Sequence, residues 1–133
     1  MKRITLLVII LFLNQLSFSQ NGIIKSYYPN RNIKSEISYI NDILDGKSIY
    51  YFENGNKKSE QNYSRGILNG WVRSYYENGK LKNEFYVENG IKDGDEKTYN
   101  FNGELISILT YQKGVLIKEQ LFSDTEQNNL ASR

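Results

Sequence analysis

The chain of 133 residues contains no cysteine and no histidine, and only one proline. Without cysteine there are no disulfides and no thiol nucleophiles, and without histidine there is no Ser-His-Asp triad and no zinc site of the common ligand types. The formal charge is only +2, and the surplus corresponds to Lys2 and Arg3 near the N-terminus. A nucleic-acid-binding domain needs a basic surplus, so we expect no nucleic-acid partner. We also expect no cofactor and no metal centre.

The N-terminus has the pattern of a secretion signal. Lys2 and Arg3 precede an apolar run over residues 4–13, and a short polar stretch follows. Ser17 and Ser19 are the small residues expected at a cleavage site, which places cleavage between Ser19 and Gln20. The run is too short for a transmembrane helix, which needs about 20 apolar residues. Residues 1–19 are therefore predicted to be a signal peptide. The mature form is predicted to be periplasmic or secreted and not membrane-spanning.

A repeat of 24 residues fills most of the remaining chain. Counting the first glycine of each unit as position 0, position 5 is always tyrosine, and positions 8 and 9 are Asn-Gly in three units of four. The units are 22–45, 46–69, 70–93 and 94–117, with the start of a fifth at 118–122. Residues 20–122 are predicted to form one repeat domain. The polar, aperiodic segment 123–133 is predicted to be disordered.

Each unit has the features of a β-hairpin, because Asn-Gly lies between runs rich in aromatic and β-branched residues. Further Asn-Gly or Asp-Gly pairs mark the unit boundaries. The predicted fold class is all-β: an elongated antiparallel meander of tandem β-hairpins in a single-layer sheet. A two-residue type I′ turn at Asn-Gly pairs position 3 with 14, as in Lys25 with Glu36, and position 5 with 12, as in Tyr27 with Lys34. Positions 6, 11, 13, 15 and 17 then share a packing face. A three-residue turn with a bulge is the alternative, and would move the position-5 tyrosines into the core.

The unit over residues 70–93 resembles the MORN-repeat variant through its Tyr-Tyr-x-Asn-Gly-x-Leu-Lys segment, a later aromatic residue and a closing Gly-x-x-x-Gly. The other units match less completely, and the resemblance covers residues 22–117. It implies a β-repeat protein without chemistry of its own. Bacterial chains of this kind are often classed as YwqK-family antitoxins. The wider group is associated with scaffolding, membrane-lipid contact and protein binding.

Two acidic groupings are candidates for chemistry, and both are interpreted as structural. Asp93, Asp95 and Glu96 have oxygen ligands suited to Ca²⁺ but lack the spacing of a known calcium loop. Glu60 and Glu84, one repeat apart, fall near the separation of an inverting glycosidase pair. Both glutamates recur because the unit recurs, and each faces its hairpin partner strand. We therefore expect no enzymatic activity.

Aromatic residues give a candidate binding face. Trp71, Arg73 and Tyr75 have the composition of an aromatic–cation platform. Tyrosines one repeat apart are about 9.5 Å from each other, too far for direct ring contact, which favours a ladder presented to a partner over structural filler. The predicted partner-binding residues are Tyr27, Tyr51, Trp71, Arg73, Tyr75 and Tyr99.

The sequence thus predicts an exported, non-catalytic protein-interaction or scaffold module. Its partner is an unidentified protein or envelope component. One alternative is an antitoxin or immunity-type inhibitor of a cognate toxin. A second is a sheet that binds glycans or phospholipids.

Overall fold

A computed structural model describes residues 19–122. The predicted signal peptide, except for Ser19, and the predicted polar tail at 123–133 lie outside the described residues. The described chain forms one antiparallel sheet of eleven strands. The strands are β1 (Gly22–Tyr27), β2 (Ile33–Ile40), β3 (Ile43–Tyr51), β4 (Lys57–Ser64), β5 (Ile67–Leu68), β6 (Gly70–Tyr75), β7 (Leu81–Glu88), β8 (Ile91–Lys92), β9 (Gly94–Tyr99), β10 (Leu105–Gln112) and β11 (Val115–Leu121).

Neighbouring strands in the sheet are also neighbours in sequence, so the sheet is an open meander with β1 and β11 at its edges. The short strands β5 and β8 pair with β4 and β7, and a single residue separates each from β6 or β9. The predicted all-β fold of tandem hairpins is confirmed. The described residues include no helix with the length and hydropathy needed to span a membrane.

The turn inside each repeat is the three-residue alternative. In the second repeat Gly55 N donates to Phe52 O at 3.0 Å, and Phe52 N donates to Asn56 O at 2.8 Å. Gly55 has a φ of 88°, whereas Asn54 is not in the left-handed region. The loop is therefore a type I turn followed by one left-handed residue. The prediction of a type I′ turn at Asn-Gly is wrong, because only the glycine adopts a positive φ.

A bulge beside this turn restores the register farther along each hairpin. Tyr51 pairs with Lys57, but the preceding Tyr50 pairs with Ser59, so Lys58 is the extra residue. The predicted pairing of position 3 with 14 is therefore confirmed, for example between Lys25 and Glu36. The predicted pairing of position 5 with 12 is wrong. The bulged lysines instead lie over the position-6 rings, at 5.8 Å from Lys58 Nζ to the Phe52 centroid in the second repeat.

The type I′ geometry occurs instead at the turns between successive hairpins, at residues 41–42, 65–66, 89–90 and 113–114, which we call the connecting turns. Arg65 and Gly66 have φ values of 49° and 81°, and Asn89 and Gly90 have 49° and 82°. The boundary pairs recognised in the sequence, such as Asn69-Gly70, lie four residues farther on, where β5 passes into β6. Asn69 Oδ1 accepts a bond from Asn89 N at 3.2 Å, so this residue fixes the next connecting turn.

Hydrogen bonds at the hairpin turns and at the connecting turns link one repeat to the next. On one side Asn54 Nδ2 donates to Glu77 O at 3.0 Å, which explains why asparagine recurs at this position. On the other side Gly90 N donates to Leu68 O at 2.9 Å. These bonds lock consecutive hairpins together through backbone carbonyls rather than through a second layer.

Strand alternation gives the sheet two faces. The packing face carries the buried side chains Ser35, Ser48, Val72 and Val87. The opposite face, called the tyrosine face below, carries positions 1, 3, 5, 14 and 16 of each repeat. Of the positions predicted to pack together, 13, 15 and 17 lie on the packing face. Position 11 lies on the tyrosine face, because the bulge pairs it with the position-5 tyrosine.

Candidate functional site

The structure places all six predicted partner-binding residues on the tyrosine face. Trp71, Arg73 and Tyr75 alternate along β6 and therefore point to the same side. The position-5 tyrosines of the other repeats have the same place in β1, β3 and β9, and are Tyr27, Tyr51 and Tyr99. The role of these residues in partner binding stays a prediction.

Glutamates fill the spaces between the tyrosines. Tyr51 Oη donates to Glu36 Oε2 at 2.7 Å, and Tyr75 Oη donates to Glu60 Oε2 at the same distance. Each tyrosine thus bonds to the glutamate of the preceding repeat. These carboxylates lie between tyrosine rings that are too far apart for direct contact, and the row is an alternating Glu–Tyr ladder.

The ladder changes the acidity of its members. Burial raises the pKa of the Glu60 carboxyl, but bonds from Lys57 and Tyr75 outweigh burial and hold the pKa below its usual range. Burial and the bond to Glu36 raise the pKa of Tyr51 to about 12. Burial and the bond to Glu60 raise that of Tyr75 to about 12. At neutral pH the ladder therefore consists of charged carboxylates and neutral phenols.

An exposed aromatic pair lies beside the ladder in the third repeat. The rings of Trp71 and Tyr86 meet edge to face with centroids 5.7 Å apart, and their exposed fractions are 43% and 39%. The Arg73 guanidinium lies 5.1 Å from the Trp71 ring centroid, and its Nε is 3.1 Å from Glu84 Oε2. The sequence prediction missed Tyr86, because position 16 varies between repeats. The available signal was its place opposite Trp71 in the hairpin register.

An open cavity of about 300 Å³ adjoins this pair on the tyrosine face. Its lining residues combine aromatic rings with charges of both signs, and they are Trp71, Glu84, Tyr86, Asp93, Gly94, Asp95 and Lys97. A cavity that places aromatic rings beside charged groups is suited to holding a polar side chain or small polar group of a partner. We call it the Trp71 cavity.

The candidate calcium ligands do not converge. Asp93 Oδ1 accepts a bond from Lys113 N at 2.9 Å, and Asp95 Oδ1 accepts one from the Thr110 hydroxyl at 2.7 Å. Glu96 lies on the packing face, where its Oε2 is 2.6 Å from Lys92 Nζ. Within residues 19–122 no group of acidic side chains has an arrangement that could hold a metal ion.

The candidate carboxylate pair is engaged in cross-strand and inter-repeat contacts. Glu60 is bonded to Lys57 and to the tyrosine of the next repeat, at 2.8 Å and 2.7 Å. Glu84 pairs with Arg73 across its own hairpin and carries the charge that, with burial, raises the pKa of Tyr99. The arrangement supports the structural interpretation of both glutamates.

A protein-family model described as the MORN repeat variant matches the chain at four places, residues 20–41, 44–65, 68–89 and 92–113. The four matches begin at intervals of 24 residues, the period seen in the sequence and in the strands. No curated protein matches the chain. Tandem repeats of this kind indicate a repeat-based binding or scaffold module.

Proposed function

We propose that this chain, which belongs to the MORN repeat variant family, is an exported, non-catalytic module that binds a protein or another envelope component through its tyrosine face. The signal pattern of residues 1–19 supports export. The extended surface of a repeat sheet, with side chains at regular spacing, supports a binding role.

The observation that carries the proposal is the exposed Trp71–Tyr86 pair beside the Trp71 cavity. Tryptophan, tyrosine and arginine are the residues most enriched at the energetic centres of protein interfaces. Here all three types meet within one hairpin, and the cavity beside them is open. Tyr75, on the same strand as Trp71, is half-buried in the ladder through its bond to Glu60.

The chemistry of the cavity supports recognition rather than catalysis. Arg73 forms an ion pair with Glu84, and the Thr110 hydroxyl donates a hydrogen bond to Asp95. These contacts hold both carboxylates in place, which suits them to recognising a partner.

The test is capture of partners from an envelope extract by the mature protein and by the Trp71→Ser variant. Trp71 is exposed, so the variant should keep its melting temperature within a few degrees. Loss of a central aromatic contact should weaken binding of the main partner about thirtyfold. The matched control is Ile24→Ser, which removes an apolar side chain of similar exposure from the packing face. Equal capture by both variants would overturn the proposal for this face.

The identity of the captured species separates the finer alternatives. Capture of a single toxin, with its gene adjacent to this one, would make the chain an antitoxin or immunity-type inhibitor. Retention on a glycan or phospholipid array, without a protein partner, would assign the face to a non-protein component.

Export has its own test. N-terminal sequencing of the protein from the cell-envelope fraction should give Gln20 as the first residue. A cytoplasmic protein that keeps Met1 would overturn the export proposal.

A further inference from the structure

The first connecting turn departs from the other three at one residue. Its second left-handed position is Asp42, with a φ of 63°, where the later turns have Gly66, Gly90 and Gly114. A left-handed conformation is strained for an L-residue, although aspartate tolerates it better than most. The backbone bond of this position is kept, since Asp42 N donates to Gln20 O at 3.1 Å. The difference between the turns is therefore the carboxylate itself.

The Asp42 carboxylate contacts the backbone at the start of the sheet. Gln20 N donates to Asp42 Oδ1 at 2.7 Å. The equivalent residues of later repeats are Leu44 and Leu68, which pair with Tyr39 and Tyr63 of the preceding strand. Within residues 19–122 no strand precedes Gln20. The turn glycines that replace Asp42 in the later repeats have no side chain, so among the described connecting turns only the first can make this carboxylate contact.

The backbone nitrogen of Gln20 is also the one that the predicted cleavage would release as a free amino group. We propose that cleavage between Ser19 and Gln20 converts the bond into an ion pair between the α-ammonium group of Gln20 and the Asp42 carboxylate, which anchors the mature N-terminus. The inference rests on the export proposed above. Hydrolysis of the Ser19–Gln20 amide by water leaves a carboxylate on Ser19 and an ammonium group on Gln20, so the step needs no other reactant.

The local charges favour this arrangement. An α-amino group has an ordinary pKa of about 7.7–8.0 and is mostly protonated at neutral pH. Cleavage replaces a neutral N–H donor with a charged one, which adds the attraction of opposite charges to the hydrogen bond that the carboxylate already accepts. The adjacent turn residue Asn41 donates its N to Asn21 Oδ1 at 2.8 Å, which is a neutral contact. Asp42 is therefore the carboxylate that bonds the new ammonium group.

A chemical consequence concerns the residue type at the new terminus. An N-terminal glutamine cyclises when its free amine attacks the side-chain amide carbon, forming a lactam and releasing ammonia. The attack needs the neutral amine in a mobile position. An ammonium group held against Asp42 meets neither requirement, so the anchor should slow this loss of the terminal charge.

The experiment compares two purified proteins, one beginning at Gln20 and one beginning at Ser19, each with and without Asp42→Asn. Asparagine keeps the left-handed preference and an acceptor oxygen but removes the charge. In freshly prepared protein, the folding equilibrium constant should be about two- to fivefold larger for the Gln20 form than for the Ser19 form. Asp42→Asn should abolish this difference. Mass spectrometry should show faster loss of ammonia from Gln20 in the Asp42→Asn variant.

The matched control is Asp45→Asn, which alters the carboxylate that accepts a bond from Arg65 N in the next connecting turn. This variant should lower the stability of both forms equally and leave ammonia loss unchanged. Equal stability of the Gln20 and Ser19 proteins, or equal ammonia loss with and without the Asp42 charge, would overturn the anchor. N-terminal sequencing of the native protein tests processing separately, because an exported protein with another first residue would keep the export proposal and exclude this ion pair.

Discussion

The first repeat (residues 22–45) and the third (residues 70–93) have the same pairing between their two long strands, but equivalent residues in them have different surroundings. Tyr75 is half-buried and bonds to Glu60 of the repeat before it. Tyr27 has the same position in its own repeat and is 58% exposed, since within residues 19–122 no repeat precedes it. The bulk of the ring is equal in the two places. The preceding neighbour determines whether the tyrosine is structural or accessible.

The turns of the two repeats show a second difference. Gly79 and Arg31 both hold the left-handed position of the hairpin turn, with φ values of 84° and 71°. The first repeat therefore keeps the turn geometry without the glycine. Its Arg31 adopts a left-handed backbone conformation, which is strained for an L-residue. The backbone geometry of the turn is therefore the same in both repeats, although the residue that adopts it differs in the first repeat, where β1 is an edge strand.

The largest expected effect is a change at the hairpin turn. Gly79→Val should destabilise the protein by about 2 kcal/mol, because a β-branched residue is strained at positive φ. An added Cβ meets only the Asn56 side chain, 3.9 Å away, so the cost arises from the backbone. Arg31→Val should cost less than about 1 kcal/mol, because the arginine already carries part of this strain. Urea unfolding of both variants measures the contrast, and equal losses would contradict it.

The second-largest expected effect is a loss of stability on removing a tyrosine hydroxyl from the Glu–Tyr ladder. Tyr75→Phe should cost about 1.5 kcal/mol, because a buried carboxylate loses one of its donors. The control is Tyr27→Phe, which should change stability by less than about 0.5 kcal/mol at an exposed site. Thermal unfolding measures both. A loss at Tyr27 as large as that at Tyr75 would remove the distinction between the first and third repeats.

Restoring the missing glycine should make the first repeat more like the third. Arg31→Gly is expected to stabilise the protein by about 0.5–1 kcal/mol, since relief of the left-handed strain exceeds the greater entropy of glycine in the unfolded chain. Arg31→Ala removes the same charge but keeps the strain, and should give no gain. If alanine stabilises as much as glycine, the effect belongs to the charge rather than to the turn.

The smallest expected effect is a pH dependence of the ladder, because Tyr51 and Tyr75 are only half-buried and solvent screens their interactions. Tyr51 and Tyr75 have folded-state pKa values of about 12, above the ordinary value of 10.0. The unfolded chain loses these protons first, so the stabilisation is full below pH 10 and falls as the pH rises toward about 12. Urea midpoints over this range should decline less steeply in Tyr51→Phe than in the unaltered protein. Identical slopes would contradict a contribution from Tyr51.

Much of the fold could be predicted from the repeat, but the turn chemistry could not. Asn-Gly suits both a type I′ turn and a type I turn followed by a left-handed residue, because glycine meets the requirement for positive φ in either. The two differ in the φ of the asparagine, which a contact with the next repeat helps to decide: Asn54 Nδ2 donates to Glu77 O. The pairing of Lys25 with Glu36 was nevertheless predicted correctly, since the bulge offsets the longer turn.

The candidate site was predicted in part for a related reason. Strand alternation was sufficient to gather Trp71, Arg73 and Tyr75 on one face. Tyr86 and the cavity could not be derived from the repeat, because Tyr86 occupies a variable position and the cavity lies between the third and fourth repeats. Such features depend on which side chains meet where two hairpins lie side by side in the sheet. The sequence period describes only what the repeats have in common.

The amino-acid sequence alone was sufficient to predict the period, the all-β class, the antiparallel order and the face on which the aromatic side chains lie. These properties follow from local rules, namely glycine at turns and alternation along strands. The bonds from Tyr51 and Tyr75 to a glutamate of the preceding repeat, and the contact of Asp42 with the backbone of Gln20, are visible only in the assembled sheet. The tyrosine contacts join successive repeats, and the Asp42 contact joins the segment before β1 to the turn after β2. Their geometry depends on how the strands are placed in the assembled sheet, which the sequence pattern of one repeat does not specify.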